Sequence, residues 1–442
     1  MLVVALVAVL AGAGASGVVT APAGPAAQAA QAAPGSTAVP PRAAPVPGGT
    51  SAQPDREAAV RTILDRRGRA LLRRDRAAWL RDVDPHATAL RRRQAALFDN
   101  LAAVPLASWR YVLDRGATRP LGPAAVTRYT VPFYAPAVTL RYALRGIDGE
   151  PTARPQALTF VQRRTRWLLA ADDDLAADGT RTWRGIWDFG PVVTRSGRSS
   201  LVLAHPANAG RMATFADAVD DAVPRVTTVW GPAWPRRVAL LIPDSVTEMA
   251  RLVGEQFAAA RIAAVAIADY ADPRRRVARG QRVVVNPANL NRLGPLGRRI
   301  VLRHEITHVA SRAVTGDTTP TWLVEGFADY VGYRDSGLPP GLVAQELRAE
   351  VRRGVWSGRL PADAEFRGDA PRLPVAYEEA WIACRLIVQR VGVAGLVRLY
   401  REVGATPGRG GAAVDRALRR VVGVSTKDFV AQWRALVRAE LG

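Results

Sequence analysis

The chain has 442 residues, 48% of them hydrophobic, and a formal charge of +22, so two domains with buried cores are expected rather than one. Lys427 is the single lysine, and the arginine excess reads either as a bacterial, high-GC composition or as attraction to an anionic surface such as a cell-envelope polymer or lipid headgroups. The arginines are dispersed without a recognition motif, which argues against nucleic acid. The one cysteine, Cys384, excludes an intrachain disulfide and a cysteine-based zinc site.

In chain order, residues 1–30 contain an uncharged apolar run from Leu2 to Thr20. It reads as a signal peptide or N-terminal membrane anchor, although no Lys or Arg precedes it. An extracytoplasmic protein, secreted or N-terminally anchored, is the expectation. Residues 31–54 are rich in Ala, Pro and Gly with one charge, Arg42; such a segment lacks the large apolar residues for a core and reads as a linker.

Residues 55–180 form a first domain. Apolar positions Val60, Ile63, Leu64, Leu71 and Leu72 follow helical spacing, and a second helix runs through Leu90, Leu97 and Leu101. Strand-like runs follow at Ser108–Leu113, Val126–Val131, Val138–Leu144, Ala157–Gln162 and Trp167–Ala171. Helices followed by a curved antiparallel sheet make an α+β cone, an element order that resembles nuclear-transport-factor-like or cystatin-like domains. Asp172-Asp173-Asp174 reads as a solvated turn and His86 as a loop residue. Trp183, Trp187 and Phe189 lie in a connector where they could pack one domain on the other.

Residues 195–442 form the second domain. Strands at Leu201–His205 and Val238–Pro243 flank a helix from Ala207 to Trp230. His205 reads as a structural residue at a strand end. Further strands are expected at Ala263–Ala268 and Gln281–Pro287, with Arg274-Arg275-Arg276 as a surface loop between them. Helices dominate after Arg299, with Gly408-Arg409-Gly410-Gly411 a loop between two of them.

The chemistry concentrates at His304-Glu305-Ile306-Thr307-His308, inside an apolar run from Arg299 to Ala313. Histidines four apart share a helix face, so both rings can meet one Zn²⁺ with the intervening glutamate beside its water. A catalytic zinc takes three protein ligands and keeps one open position. The next helical run, Trp322 to Tyr330, offers Glu325 as third ligand. Asp329, one turn on, is placed to accept the free N–H of a ligating histidine. Thr319 reads as that helix's N-cap, with Pro320 in its first turn.

H-E-I-T-H followed by W-L-V-E-G-F-A-D-Y resembles the gluzincin metallopeptidases, in particular peptidase MA-like domains related to thermolysin and aminopeptidase N. The resemblance implies a zincin-type, mostly helical domain with a small sheet and one zinc per chain on His304, His308 and Glu325. It implies Glu305 as catalytic base and Asp329 as the residue orienting a zinc histidine. It implies a substrate-pairing strand before the metal helix, for which Val284, Val285 and Asn286 are the candidates, and an oxyanion-directed tyrosine at the start of a later helix, which is Tyr377 here. The activity implied is peptide-bond hydrolysis by a zinc-activated water with a glutamate general base, acting on a peptide or protein. No G-x-M-E-N-like segment precedes the zinc helix, which favours an endopeptidase over an aminopeptidase. Two other readings stay open: a zinc-binding but non-proteolytic envelope scaffold, and a protein whose first task is binding an anionic polymer or membrane surface.

Overall fold

In this computed structural model, residues 4–6, 53–254, 260, 262–406 and 411–442 are described. Apart from β1 (Val4–Leu6), the signal or anchor segment lies outside them, as do most of the linker and of the loop at Gly408.

The first domain opens with α1 (Gln53–Leu72), α2 (Arg76–Leu80) and α3 (Thr88–Asn100). The Asp75 carboxylate caps α2 by accepting the Ala78 N–H at 2.9 Å, satisfying one of the free amides of a helix start. Two antiparallel sheets follow, built from β2 (Leu106–Thr118), β3 (Phe133–Tyr134), β4 (Pro136–Leu144), β5 (Thr152–Ala157), β6 (Thr159–Arg163) and β7 (Arg166–Ala171), with a short α4 (Pro123–Val126) after β2. Their orders are β2-β4-β5 and β3-β6-β7. Pro155 sits in β5, an edge strand, where its missing N–H breaks no ladder.

Two expectations are corrected here. Val126–Val131 is no strand: Gly122 and Pro123 start a helical turn instead, and Tyr129 then turns its hydroxyl to Asp174 at 2.5 Å. Asp172 and Asp174 are buried, not solvated; Asp172 pairs with Arg93 and Arg184, and Asp174 with Arg128. Buried carboxylates need such partners, and arginine supplies them.

The second domain is organised on one sheet. Its strands are β8 (Val193–Ser196), β9 (Ser200–Ala204), β10 (Val238–Ile242), β11 (Ala264–Ile267) and β14 (Arg282–Val285), with a separate hairpin of β12 (Tyr270–Asp272) and β13 (Val277–Arg279). The order is β1-β11-β14-β10-β9-β8, with β9, β10 and β14 parallel and β11 antiparallel to β14. Around it lie α5 (Met212–Trp230), α6 (Val246–Val253), α7 (Pro287–Arg292), α8 (Pro295–Ser311), α9 (Thr321–Tyr333), α10 (Pro340–Val343), α11 (Gln345–Arg352), α12 (Leu373–Ala405, broken at Gly392), α13 (Gly411–Val421) and α14 (Thr426–Leu441).

Strand alternation sorts the sheet's residues by face. Val202, Leu240, Ala266, Val283 and Val285 join the helical core with α5 and α8. Leu203, Leu241, Val265, Ile267 and Val284 join the core of the first domain. A sheet buried on both faces needs continuous apolar strands, which is how these strands read. Trp183 and Trp187 belong to the same first-domain cluster, where Trp183 stacks on Tyr142 and Trp187 meets it edge to face. Ion pairs fix the two domains: Arg282 grips Asp148 through both nitrogens at 2.8 and 2.7 Å, and Asp269 binds Arg154 and accepts the Thr152 hydroxyl. His205 is structural, bonded to the Pro191 carbonyl and to Glu248, each at 2.8 Å.

Candidate metal centre

Gly294 and Pro295 start α8, with the proline where a missing N–H costs nothing. From Ile300 to Ser311 every residue of α8 is buried, so polar groups there need partners. His304 and His308 point the same way, and their Nε2 atoms are 2.9 Å apart. Glu325 Oε2, from α9, lies 3.4 Å from the first and 3.6 Å from the second.

Two further features hold α9 in place. A Cβ on Gly326 would meet the Ala380 carbonyl oxygen at 2.2 Å, so α12 packs backbone against backbone there. A Cβ on Gly332 would meet the Ile300 carbonyl oxygen of α8 at 3.0 Å. Glycine inside a helix is unfavourable alone, and here close approach explains it. The start of α9 departs from expectation. Pro320 occupies the N-cap position without a side-chain cap, while Thr319 Oγ1 accepts the Gly316 N–H.

The donor set fits a tetrahedral zinc. Bonds of about 2.0–2.1 Å at tetrahedral angles separate ligand atoms by about 3.3–3.4 Å, close to the triangle of 2.9, 3.4 and 3.6 Å seen here. Glu325 Oε2 is buried with no hydrogen-bond partner, as is Glu305 Oε1. Two imidazole nitrogens facing one another beside an unpartnered carboxylate oxygen make His304, His308 and Glu325 a donor set that could hold a metal ion.

Neighbouring groups tune this cluster. Asp329 Oδ1 lies 2.8 Å from His304 Nδ1, which turns Nε2 toward the triangle. Burial opposes charge on His304, yet Asp329, then Glu325 and Glu305, push the ring up to about 10. Burial takes His308 the other way, down to about 4. Burial would raise Glu325 too, but His308 and His304 hold its carboxyl at about 2. Glu305 is lifted by burial to about 7, although the Ala266 N–H donates to its Oε2 at 2.7 Å. The carboxylate is thus fixed at one oxygen and free at the other.

Tyr377, near the start of α12, is buried with its ring 6.3 Å from that of His304. Its hydroxyl hydrogen-bonds Glu325, and burial, then Glu325, Asp329 and Glu305, drive its pKa well up, so it stays a phenol. Arg312 is a site residue the sequence reading missed. It is buried, donates to the Ala266 carbonyl at 2.9 Å and acts electrostatically on Glu305 and Glu325. Its spacing of four from His308 put it on the metal face from the outset.

Val284, Val285 and Asn286 do not form the cleft edge. β14 is hydrogen-bonded on both sides, to β10 and β11, and has no free backbone to offer. Val284 faces the first domain, and the Asn286 carbonyl oxygen of the side chain caps α7 through the Ala288 and Asn289 amides. The strand against the metal helix is β11, whose Ala266 binds both Glu305 and Arg312. Its other neighbour in the sheet is β1, which also lies against α8.

No protein-family model matches the chain, and no curated protein matches it. Solved structures that it resembles include an M1 zinc metallopeptidase from Deinococcus radiodurans, a glutamate-to-alanine mutant bound to a Tyr-Ser-Ala substrate. The TM-score is 0.33 and the identity 15%, over 64% of this chain and 59% of that one. The same mutant from Deinococcus radiodurans without the peptide gives 0.32, 15%, 64% and 59%. A two-domain M1 zinc metallopeptidase mutant bound to L-arginine gives 0.31, 15%, 64% and 60%. The chain spans about three fifths of the length of the structures it matches.

Proposed function

We propose that the protein is a zinc-dependent peptidase of the gluzincin type, cutting internal peptide bonds outside the cytoplasm. The observation that carries this reading is the convergence of His304 Nε2, His308 Nε2 and Glu325 Oε2 beside an unpartnered Glu305 Oε1. Zinc, when bound, polarises the scissile carbonyl and acidifies water. Glu305 Oε1 takes a proton from the attacking water and returns it to the leaving nitrogen. Tyr377 turns its hydroxyl hydrogen from Glu325 to the carbonyl oxygen as negative charge grows there. Asp329 fixes the His304 ring.

With β1 removed, the extended substrate pairs with the edge of β11 that β1 covers, in the manner of strand addition. The lack of a G-x-M-E-N-like segment before α8 supports an endopeptidase over an enzyme that reads a free amino terminus. The uncharged apolar N-terminal run supports an extracytoplasmic location, and the +22 charge supports an anionic envelope polymer or membrane surface as the setting.

The test is turnover of internally quenched peptides, N-acetylated and free, with and without a zinc chelator. Cleavage of the acetylated peptides, abolished by the chelator and restored by zinc, is the expected result. Cleavage confined to free amino termini would overturn the endopeptidase assignment, and chelator-insensitive cleavage the zinc assignment.

A further inference from the structure

Arg312 is 2% exposed and begins the short helical turn, Arg312–Val314, in which α8 ends. A guanidinium buried so deeply loses its water, and the fold must supply bonds and opposite charge in return. Both are present. Its Nη2 donates to the Ala266 carbonyl of β11 at 2.9 Å. Burial works against its charge, and Tyr400, Glu305 and Glu325 favour it. The backbone that carries it is pinned as well. Tyr400, from α12, donates its hydroxyl to Ser311 Oγ at 3.4 Å and lies 2.8 Å from Thr315 Oγ1.

Two relationships give this position a meaning, one geometric and one electrostatic. The Ala266 carbonyl accepts from Arg312, and the N–H of the same residue donates to Glu305 Oε2 at 2.7 Å. The N–H and C=O of one strand residue point to the same edge, and Glu305 and Arg312 stand two turns apart on one face of the helix. One residue of β11 is therefore clasped by two side chains of α8. The charges agree with this. Glu305, Glu325 and Asp329 are buried carboxylates beside His304 and His308. A bound Zn²⁺ offsets two of those negative charges and leaves one, which Arg312 is placed to offset. Arg303, also buried in α8, pairs with Asp221 instead.

We propose that Arg312 is a positioning residue for the hydrolysis proposed above: by holding the Ala266 peptide it keeps that N–H on Glu305 Oε2 and leaves Oε1 free to move the proton. This role rests on the zinc-peptidase reading of the centre. It is indirect, acting through Ala266 and then Glu305. A base displaced by about 1 Å costs about 10²-fold in rate, so a clasp remote from the reacting atoms still governs turnover.

The experiment compares the full chain with two variants. Arg312→Met keeps an unbranched stem and loses the donors and the charge, while Arg312→Lys keeps a cation that can donate to the Ala266 carbonyl. The readouts are kcat and KM on an internally quenched peptide, zinc content, and hydrogen exchange of the β11 amides in the metal-free protein. Arg312→Met should lower kcat about 10–100-fold with KM within about threefold of the parent and zinc content unchanged. Its β11 amides should exchange about tenfold faster or more, while those of β9 and β10 keep the parent's rates. Arg312→Lys should bring kcat back to within about threefold of the parent and restore the protection of β11. A parental kcat in Arg312→Met, a loss in Arg312→Lys as large as in Arg312→Met, or unchanged exchange in β11 overturns the proposal. Should Arg312→Met fail to fold, seen as fast exchange in every strand, Arg312→Gln takes its place under the same criteria. A parent protein that holds no zinc or cuts no peptide fails the zinc-peptidase reading, and exchange in the metal-free protein still decides whether Arg312 holds Ala266, so the two failures are distinguishable.

Discussion

The Ala266 backbone N–H donates to Glu305 Oε2 at 2.7 Å. This one bond joins β11 to the side chain between the two histidines. It fixes one carboxylate oxygen and leaves the other for chemistry. The strand that would carry the substrate and the group that would move the proton are therefore positioned together.

Glu305→Gln keeps an acceptor for the Ala266 N–H and removes the base. Peptide turnover should fall by about 10²–10⁴, while zinc content and thermal stability stay near those of the parent. Retained turnover in steady-state assays would remove Glu305 from the mechanism.

Asp329→Asn keeps the shape beside His304 Nδ1 but loses the charge that orients and strengthens the ring. Zinc affinity, read by competition with a coloured chelator, should fall about 10–100-fold. An unchanged affinity would make Asp329 a bystander.

Zinc binding should release protons. In the metal-free protein His304 is raised to about 10, so at neutral pH its ring is charged and must lose that proton to coordinate. The sign follows: affinity rises with pH until about 10, since fewer rings then need deprotonation. Calorimetry in buffers of different ionisation heat should give about one proton released per zinc at pH 7. A binding heat independent of buffer would contradict this.

Gly326→Ala should destabilise by about 1–3 kcal/mol, since the new methyl meets the Ala380 carbonyl and the Cys384 sulfur. Urea unfolding measures it. A neutral result would mean that α9 and α12 can separate at no cost.

Removing residues 1–30 takes β1 off β11. If that edge receives the substrate, kcat/KM should rise in the shortened chain, chiefly through KM. An unchanged KM would place the substrate elsewhere.

The ligands were legible because their signal is local: two histidines one turn apart, and a carboxylate on the next helix with Asp329 a turn beyond. Arg312 carried the same signal, a third position on that face two turns from His304, but a buried arginine is uncommon and does not stand out in a sequence. The substrate edge was not legible. β14 and β11 both read as apolar strands, and which one is outermost depends on strand order, a property of the whole sheet. β11 returns antiparallel through the β12–β13 hairpin and so takes the place beside α8. Asp172 and Asp174 misled in the opposite sense, since a run of acids reads as solvated until distant arginines are brought to it.

The most direct test is the metal content, by elemental analysis, of purified residues 55–442 beside a His304→Ala variant. The account predicts about one zinc per chain, lost in the variant. A parent protein that holds no zinc even after zinc is supplied would contradict it.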